Sequence, residues 1–170
     1  AKKYLDKNHC IAVPTETVYG LAGNAYYNIA VKKIFKLKKR PLNNPLIVHY
    51  YDVNKLKYDC YINDDFVKLF NKFSPGPITF ILKLKKDSKI SNFVTNRQKS
   101  LAVRFPKHPL FRKLLKNLNY PLAAPSANIS NRLSSVQASD VFEEFGSTIK
   151  YVLDGGKCQI GVESTIINLT

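Results

Sequence analysis

The sequence predicts an α/β fold in which helices pack around one twisted, mixed β-sheet. The segment "FVKLFNKF" places Phe66, Leu69, Phe70 and Phe73 at i, i+3, i+4 and i+7, the spacing of a single helical face. Short apolar runs such as "ITFILKL" lie between the helical patterns and are bounded by Pro, Gly, Ser or Asn, as strands are. Strands that alternate with helices favour helices packed around one sheet.

The remaining elements follow from the same two periodicities. Further helices are predicted at Ala1–Lys7, at the stripe of Val31, Ile34 and Phe35, and at the stripe of Phe111, Leu114, Leu115 and Leu118. The predicted strands are "CIAV", "PLIVHY", "ITFILKL", "SLAVRF", "PLAAP", "KYVLD" and "STIIN". No linker or repeat interrupts residues 1–170, which indicates a single domain. We expect it to be trimmed at both ends, because it has no methionine and begins inside a helical pattern.

Composition excludes several classes of protein. With 170 residues, of which 45% are hydrophobic, the chain can bury a core without disulfide bonds. Its three cysteines show no CxxC spacing, which disfavours a disulfide framework and a zinc site. No apolar run approaches the roughly 18 residues that cross a membrane. We therefore expect a soluble protein of a reducing compartment, the cytoplasm.

The net charge of +15 suggests nucleic-acid binding, but the residue types weaken that interpretation. The 27 basic residues comprise 22 Lys and only 5 Arg, and Arg is the residue whose planar fork reads phosphates and base edges. Weak RNA binding stays open as an alternative.

Polar residues collect at the ends of the predicted strands. They are "PTET" (Pro14–Thr17), the group Lys38, Arg40 and Asn44 before the strand that ends in His49, Ser100 and Arg104 around "LAV", "PSAN" (Pro125–Asn128) and "GVEST" (Gly161–Thr165). Each has an ordinary structural alternative: a helix N-cap for PTET, a turn or cap for PSAN, and a half-buried histidine for His49. Lys38 and Arg40 follow a helix and are expected on the surface.

Arg104 is the least ordinary of these residues, because it lies inside an apolar strand. A buried guanidinium needs an anionic partner. No acidic residue is obviously placed to serve it, so a bound carboxylate or phosphate and a structural ion pair remain equal alternatives.

Six segments occur in an order that resembles the YrdC-like family of threonylcarbamoyl-AMP synthases (TsaC in bacteria). They are "PTETVYGL", Lys38-x-Arg40-Pro41, "NPLIVH", "LAVRFP", "APSAN" and "GVESTII", and they extend over nearly the whole chain. The resemblance implies a YrdC-like fold with a concave basic cavity. It also implies a nucleotidyltransferase that converts L-threonine, bicarbonate or CO2, and ATP into L-threonylcarbamoyladenylate and pyrophosphate. Magnesium is expected to arrive with ATP, and a partner transferase would pass the threonylcarbamoyl group to adenosine 37 of tRNA.

The resemblance also implies residue roles. Lys38 and Arg40 are the expected catalytic cations, which would neutralise phosphate or carbamate charge. The residues expected at ATP are Lys38, Arg40, Asn44, Ser100, Ser126, Asn128 and Ser134, and those expected at L-threonine are Thr17, His49, Arg104, Ala124 and Ser164. Two other functions remain open: a double-stranded-RNA or tRNA-binding module, and a carbamoyl-transfer domain of the hydrogenase-maturation type.

Overall fold

A computed structural model describes all of residues 1–170. The helices are α1 (Lys2–Asp6), α2 (Asn28–Lys38), α3 (Val53–Leu56), α4 (Asp64–Phe73), α5 (Asn92–Thr95), α6 (Pro109–Lys116) and α7 (Ala138–Phe145), with a 3₁₀ turn at Gly146–Thr148. The strands are β1 (Ile11–Val13), β2 (Gly20–Asn24), β3 (Ile47–His49), β4 (Ile78–Lys83), β5 (Ser100–Arg104), β6 (Leu122–Ala123) and β7 (Thr165–Asn168). The α/β prediction is confirmed.

The seven strands form one mixed sheet in the order β1-β2-β6-β3-β5-β4-β7. β3 runs parallel to β5, and β4 runs parallel to β7, while the other neighbours are antiparallel. Because β3 and β5 are parallel, their carboxyl ends meet at the same edge, and His49 pairs in register with Arg104. Two of the polar positions predicted from the sequence are thereby brought side by side.

The two faces of the sheet carry different cores. Val48 and Val103 point into the larger core, together with Phe80. Side chains alternate along a strand, so His49 and Arg104 point to the opposite face. On that face a smaller core covers one part of the sheet, with Phe111 and Leu122 among its residues. His49 packs against the Phe111 ring at 5.3 Å between centroids, so the candidate residues begin where the smaller core ends.

Several elements differ from the sequence prediction, among them the short helices α3 and α5, which were not predicted. β2, "GLAGN", was not expected, because its small residues lack the β-branched and aromatic side chains that mark strands. "KYVLD" was predicted to be a strand, but it forms only the isolated bridge Ala12–Val152. The unpredicted helix α7 begins with a capping box in which Gln137 and Asp140 each bond the other's backbone N–H.

No helix of the structure combines the length and the apolar character that crossing a membrane requires.

Candidate functional site

A cavity of about 140 Å³ opens on the sheet face that carries His49 and Arg104. All six motif segments contribute to it directly. Its lining residues are Thr15, Val18, Tyr19, Gly20, Arg40, Pro45, Ile47, His49, Arg104, Ala124, Pro125, Ser126, Glu163 and Ser164. Six of the twelve predicted site residues are therefore brought together around one space: Arg40, His49, Arg104, Ala124, Ser126 and Ser164.

Arg104 has a protein partner that the sequence did not reveal. Its Nη2 donates to Glu16 Oε1 at 2.8 Å and to Thr17 Oγ1 at 2.8 Å, and both members of the ion pair are about 5% exposed. The structural ion pair, one of the two alternatives that the sequence left open for Arg104, is therefore present. Arg104 Nε is nevertheless buried without a partner, so the guanidinium keeps an unused donor at the cavity.

The PTET segment is a tight turn and not the start of a helix. Thr15 Oγ1 accepts hydrogen bonds from the backbone N–H groups of Thr17 and Val18, which closes the turn locally. Glu16 Oε2 accepts from the Lys107 backbone N–H at 2.9 Å, so both carboxylate oxygens are engaged. The N-cap interpretation of this segment was wrong, and the glutamate serves Arg104.

His49 is a neutral histidine. It is 3% exposed, and burial followed by the nearby Arg104 charge lowers the pKa of its imidazole to about 3. Its Nδ1 is buried with no hydrogen-bond partner. Arg104 Nε lies at the same end of the cavity and is also unpartnered. This closed end, formed by His49 and Arg104, therefore has two polar atoms that can hydrogen-bond a ligand.

Arg40 supplies the positive charge at the other side of the cavity. Its Nε and Nη2 donate to the carbonyls of Asn44 and Pro45, which anchors the guanidinium just after α2. Partial burial lowers the pKa of Arg40 from its usual value, and the Glu163 carboxylate opposes that change. Since Arg40 is half-buried and lines the cavity, it can meet an anion there.

Lys38 does not lie on the surface, and that expectation was wrong. It is 1% exposed, and its Nζ donates to the carbonyls of Ser126 and Asn128, each at 2.5 Å. Burial, and then the charge of Arg40, lowers the pKa of Lys38 to about 8. Its ammonium therefore holds the PSAN loop through these two carbonyls and does not line the cavity.

Five further predicted residues also lie outside the lining. Thr17 is buried and bonded to Arg104, and Asn128 donates within its own loop to the carbonyls of Ile129 and Arg132. Asn44 is exposed, and Ser134 bonds Glu163. Ser100 begins β5, roughly 13 Å from Arg104 at about 3.3 Å per strand residue. It lines a separate hollow with Pro45 and Ile81, so its predicted role at ATP stays a prediction.

Sequence reasoning missed two acidic residues of the site. Glu16 and Glu163 both stood inside recognised segments, PTET and GVEST, but neither received a role there. For Glu16 the available signal was the buried-arginine argument, which kept an ion pair with an acid of the chain as one of two alternatives. No three His, Cys, Asp or Glu side chains cluster as metal ligands would.

Nearly the whole chain matches one known protein family. Residues 3–170 match the family Sua5_yciO_yrdC, which is described as "Telomere recombination". The chain belongs to this family. The family resemblance inferred from the six segments is confirmed.

Two curated relatives and one solved structure illustrate the similarity. The chain is 41% identical to threonylcarbamoyl-AMP synthase of Pyrococcus abyssi over 171 residues, covering 100% of the chain and 50% of that protein. It is 42% identical to the Bacillus subtilis threonylcarbamoyl-AMP synthase over 169 residues, covering 99% and 49%. The crystal structure of P. abyssi Sua5 complexed with L-threonine superposes with a TM-score of 0.94 at 40% identity, covering 98% of this chain and 49% of that one. The chain spans about half the length of these relatives.

Proposed function

We propose that this domain forms L-threonylcarbamoyladenylate and pyrophosphate from L-threonine, bicarbonate or CO2, and ATP, as a nucleotidyltransferase. The observation that carries the proposal is the pairing of Arg104 and His49 at the buried end of a cavity that has Arg40 at its other side. A relative of the same fold, P. abyssi Sua5, has been crystallised with L-threonine. Threonine carries an amine, a carboxylate and a hydroxyl within a few bonds of one another, so it suits a site with several fixed donors and acceptors.

Threonine would bind at the closed end of the cavity, beside Arg104 and His49. Its carboxylate would accept from Arg104, whose unpartnered Nε supplies a charge-assisted hydrogen bond. The neutral His49 ring and the Ser164 hydroxyl line the same space and would fix the orientation of the amino acid. Ser164 is itself held by Thr79, with the two hydroxyl oxygens 2.7 Å apart, so this group is already positioned before substrate arrives.

The reaction then needs no covalent intermediate with the protein. The threonine amine adds to CO2 and loses a proton to form a carbamate. A carbamate oxygen next forms a bond to the α-phosphorus of ATP while the bond from that phosphorus to the pyrophosphate oxygen breaks. MgATP is the substrate form, and Arg40 would offset negative charge that the two anions bring together. Lys38 would act indirectly, because it holds the carbonyls of the PSAN loop in place.

The adenylate would be consumed by a second enzyme in the same compartment. The adenylate is a reactive mixed anhydride, and a tRNA threonylcarbamoyltransferase would transfer its threonylcarbamoyl group to adenosine 37. That partner and a cytoplasmic location are part of the proposal.

The experiment is to incubate the domain with L-threonine, bicarbonate and MgATP, and to measure pyrophosphate release and threonylcarbamoyladenylate by mass spectrometry. We expect both products, and neither when threonine is omitted. Arg40→Ala should reduce turnover by about 100-fold or more, as removal of a charge-stabilising group typically does. Arg97→Ala, an exposed arginine outside the cavity, is the matched control and should retain full turnover.

Pyrophosphate release that does not depend on threonine would contradict the proposed reaction. Tight tRNA binding without any pyrophosphate would instead favour the RNA-binding alternative. Turnover with carbamoyl phosphate in place of bicarbonate and threonine would favour a carbamoyl-transfer domain.

A further inference from the structure

Glu163 belongs to the GVEST segment and has no role in the reaction described above. It is exposed and lines the cavity, whereas Glu16, the other acid near the site, lies behind Arg104 and lines a different hollow. A carboxylate at the cavity wall is unexpected, because the proposed nucleotide brings several negative charges to the same place. Its position therefore needs an explanation.

The backbone on both sides of Glu163 is anchored by hydrogen bonds. The Gly161 N–H donates to the Thr17 carbonyl at 3.0 Å, and the Thr165 N–H donates to the Pro77 carbonyl at 3.1 Å. Glu163 thus lies in a short segment whose backbone is anchored on both sides. Its side chain can change direction while its Cα stays in place.

The Glu163 side chain connects the cavity wall to a segment that does not line the cavity. Ser134 Oγ donates to Glu163 Oε1 at 2.5 Å, which joins the loop after the PSAN segment to the GVEST segment. The carboxylate also acts on the cations behind it, since it raises the pKa values of Arg40 and Lys38 against the effect of their burial. Glu163 therefore neutralises part of the positive charge that an entering anion would use.

The cavity is also small for a nucleotide. Its volume is about 140 Å³, whereas sites for ligands of nucleotide size are typically about 300–1,000 Å³. A triphosphate that reaches Arg40 must therefore extend beyond this cavity, and the Ser134–Glu163 contact lies along one of its exposed walls.

We propose that Glu163 is an internal counter-anion, which closes the nucleotide side of the empty cavity through Ser134 and must separate from it when a triphosphate binds beside Arg40. The inference rests on the proposed function, because it assumes that the ligand at Arg40 is a polyphosphate. Glu163 competes with that ligand for the same positive charge, so the protein binds phosphate groups less tightly than its cations alone would allow. Ser134 becomes free for the nucleotide only after Glu163 has moved.

The test uses inorganic triphosphate and isothermal titration calorimetry. Glu163→Gln keeps an oxygen acceptor for Ser134 but removes the competing charge, so it should bind triphosphate about 3- to 10-fold more tightly than the wild type. Asp87→Asn is the matched control: Asp87 is exposed in the turn after β4, outside the cavity, and its substitution changes the net charge equally. Its affinity should stay within about 2-fold of the wild type. Melting curves of both variants confirm that they are folded.

The outcomes separate this inference from the proposed function. Equal or weaker triphosphate binding by Glu163→Gln, with normal binding by the wild type, overturns the counter-anion and leaves the proposed function intact. Equal tightening by both variants also overturns it, because the effect would then come from net charge. If neither the wild type nor Glu163→Gln binds triphosphate or MgATP, both the counter-anion and the proposed function fail.

Discussion

The cavity has two ends that use similar residues in opposite ways. At the closed end, Arg104 is about 5% exposed and is held by Glu16 and Thr17 at 2.8 Å each. At the open end, Arg40 is half-buried and is held by backbone carbonyls, and its acidic neighbour Glu163 is exposed. Each end therefore places a glutamate near an arginine, but only at the closed end do the two form an ion pair, which is buried.

Burial decides what the arginine at each end can do. A buried ion pair cannot be opened without leaving a charge in a medium of low dielectric constant, so the closed end keeps one geometry. Attraction between exposed charges that make no direct ion pair is worth little, so Arg40 can take a ligand in place of Glu163. The closed end suits recognition of a small rigid substrate, whereas the open end suits a large ligand that has to displace something as it enters.

The largest expected effect comes from removing the acid at the closed end. Glu16→Gln leaves the buried Arg104 charge without its anionic partner, and we expect the free energy of unfolding to fall by about 3–5 kcal/mol. Urea denaturation measures this loss. The control is Asp65→Asn, which removes one member of the exposed Lys68–Asp65 pair and should change stability by less than about 0.5 kcal/mol. Similar losses in the two variants would contradict the distinction between the two ends.

The next effect concerns Lys38, whose ammonium holds the PSAN loop. Lys38→Met keeps the length of the stem but leaves the carbonyls of Ser126 and Asn128 without their donor, so we expect a loss of about 2–3 kcal/mol. Lys36→Met, at an exposed position of the same helix, should be neutral. Chemical denaturation of both variants makes the comparison, and a stable Lys38→Met protein would show that the loop does not depend on this ammonium.

The third effect is a pH dependence that arises at the closed end. The folded-state pKa of His49 is about 3 and the unfolded value is about 6.5, so the unfolded chain binds a proton between these values and the folded protein does not. The stabilisation is present above pH 6.5 and is lost as the pH falls, by about 2 kcal/mol between pH 6.5 and 5.

Urea denaturation across this pH range measures the slope. His49→Phe should flatten it, whereas His9→Asn, at a partly exposed histidine, should leave it unchanged. A slope that survives in His49→Phe would assign the protonation to another group.

The smallest expected effect on stability lies at the open end. Arg40→Ala removes a half-buried side chain whose bonds go to nearby carbonyls, so its unfolding free energy should change by no more than about 1 kcal/mol. The same variant should lose the proposed turnover, because its charge faces the cavity. A melting curve beside the pyrophosphate assay checks the combination, and a large fall in melting temperature would place Arg40 with Arg104 as a structural residue.

The sequence predicted what depends on local patterns. The helices around Phe66 and Phe111 are found where their apolar spacing places them, and the end of α2 at Lys38 agrees with the charges and Pro41 that follow it. β2 was missed because "GLAGN" belongs to the sheet through its pairing with β1 and β6 and not through its own residue preferences. Propensity cannot reveal a strand that its neighbours impose.

The site was predictable in its members but not in its contacts. Arg104 was recognised as a charge that needs a partner, yet Glu16 lies 88 residues away in the chain, and only the folded sheet brings the two together. Lys38 was placed on the surface for the same reason, because the carbonyls that bury its ammonium come from a loop about 90 residues later. Spacing within a motif carries no information about such distant pairs.

The long separations between these partners have a consequence for how the site appears during folding. Glu16 must meet Arg104, and β4 must pair with β7, where Ile78 lies opposite Thr165. Contacts between distant parts of a chain form late, because closing the intervening loops costs entropy before any contact is gained. The cavity should therefore be absent from partly folded states, and a ligand that needs it will slow unfolding of the entire domain instead of protecting one loop.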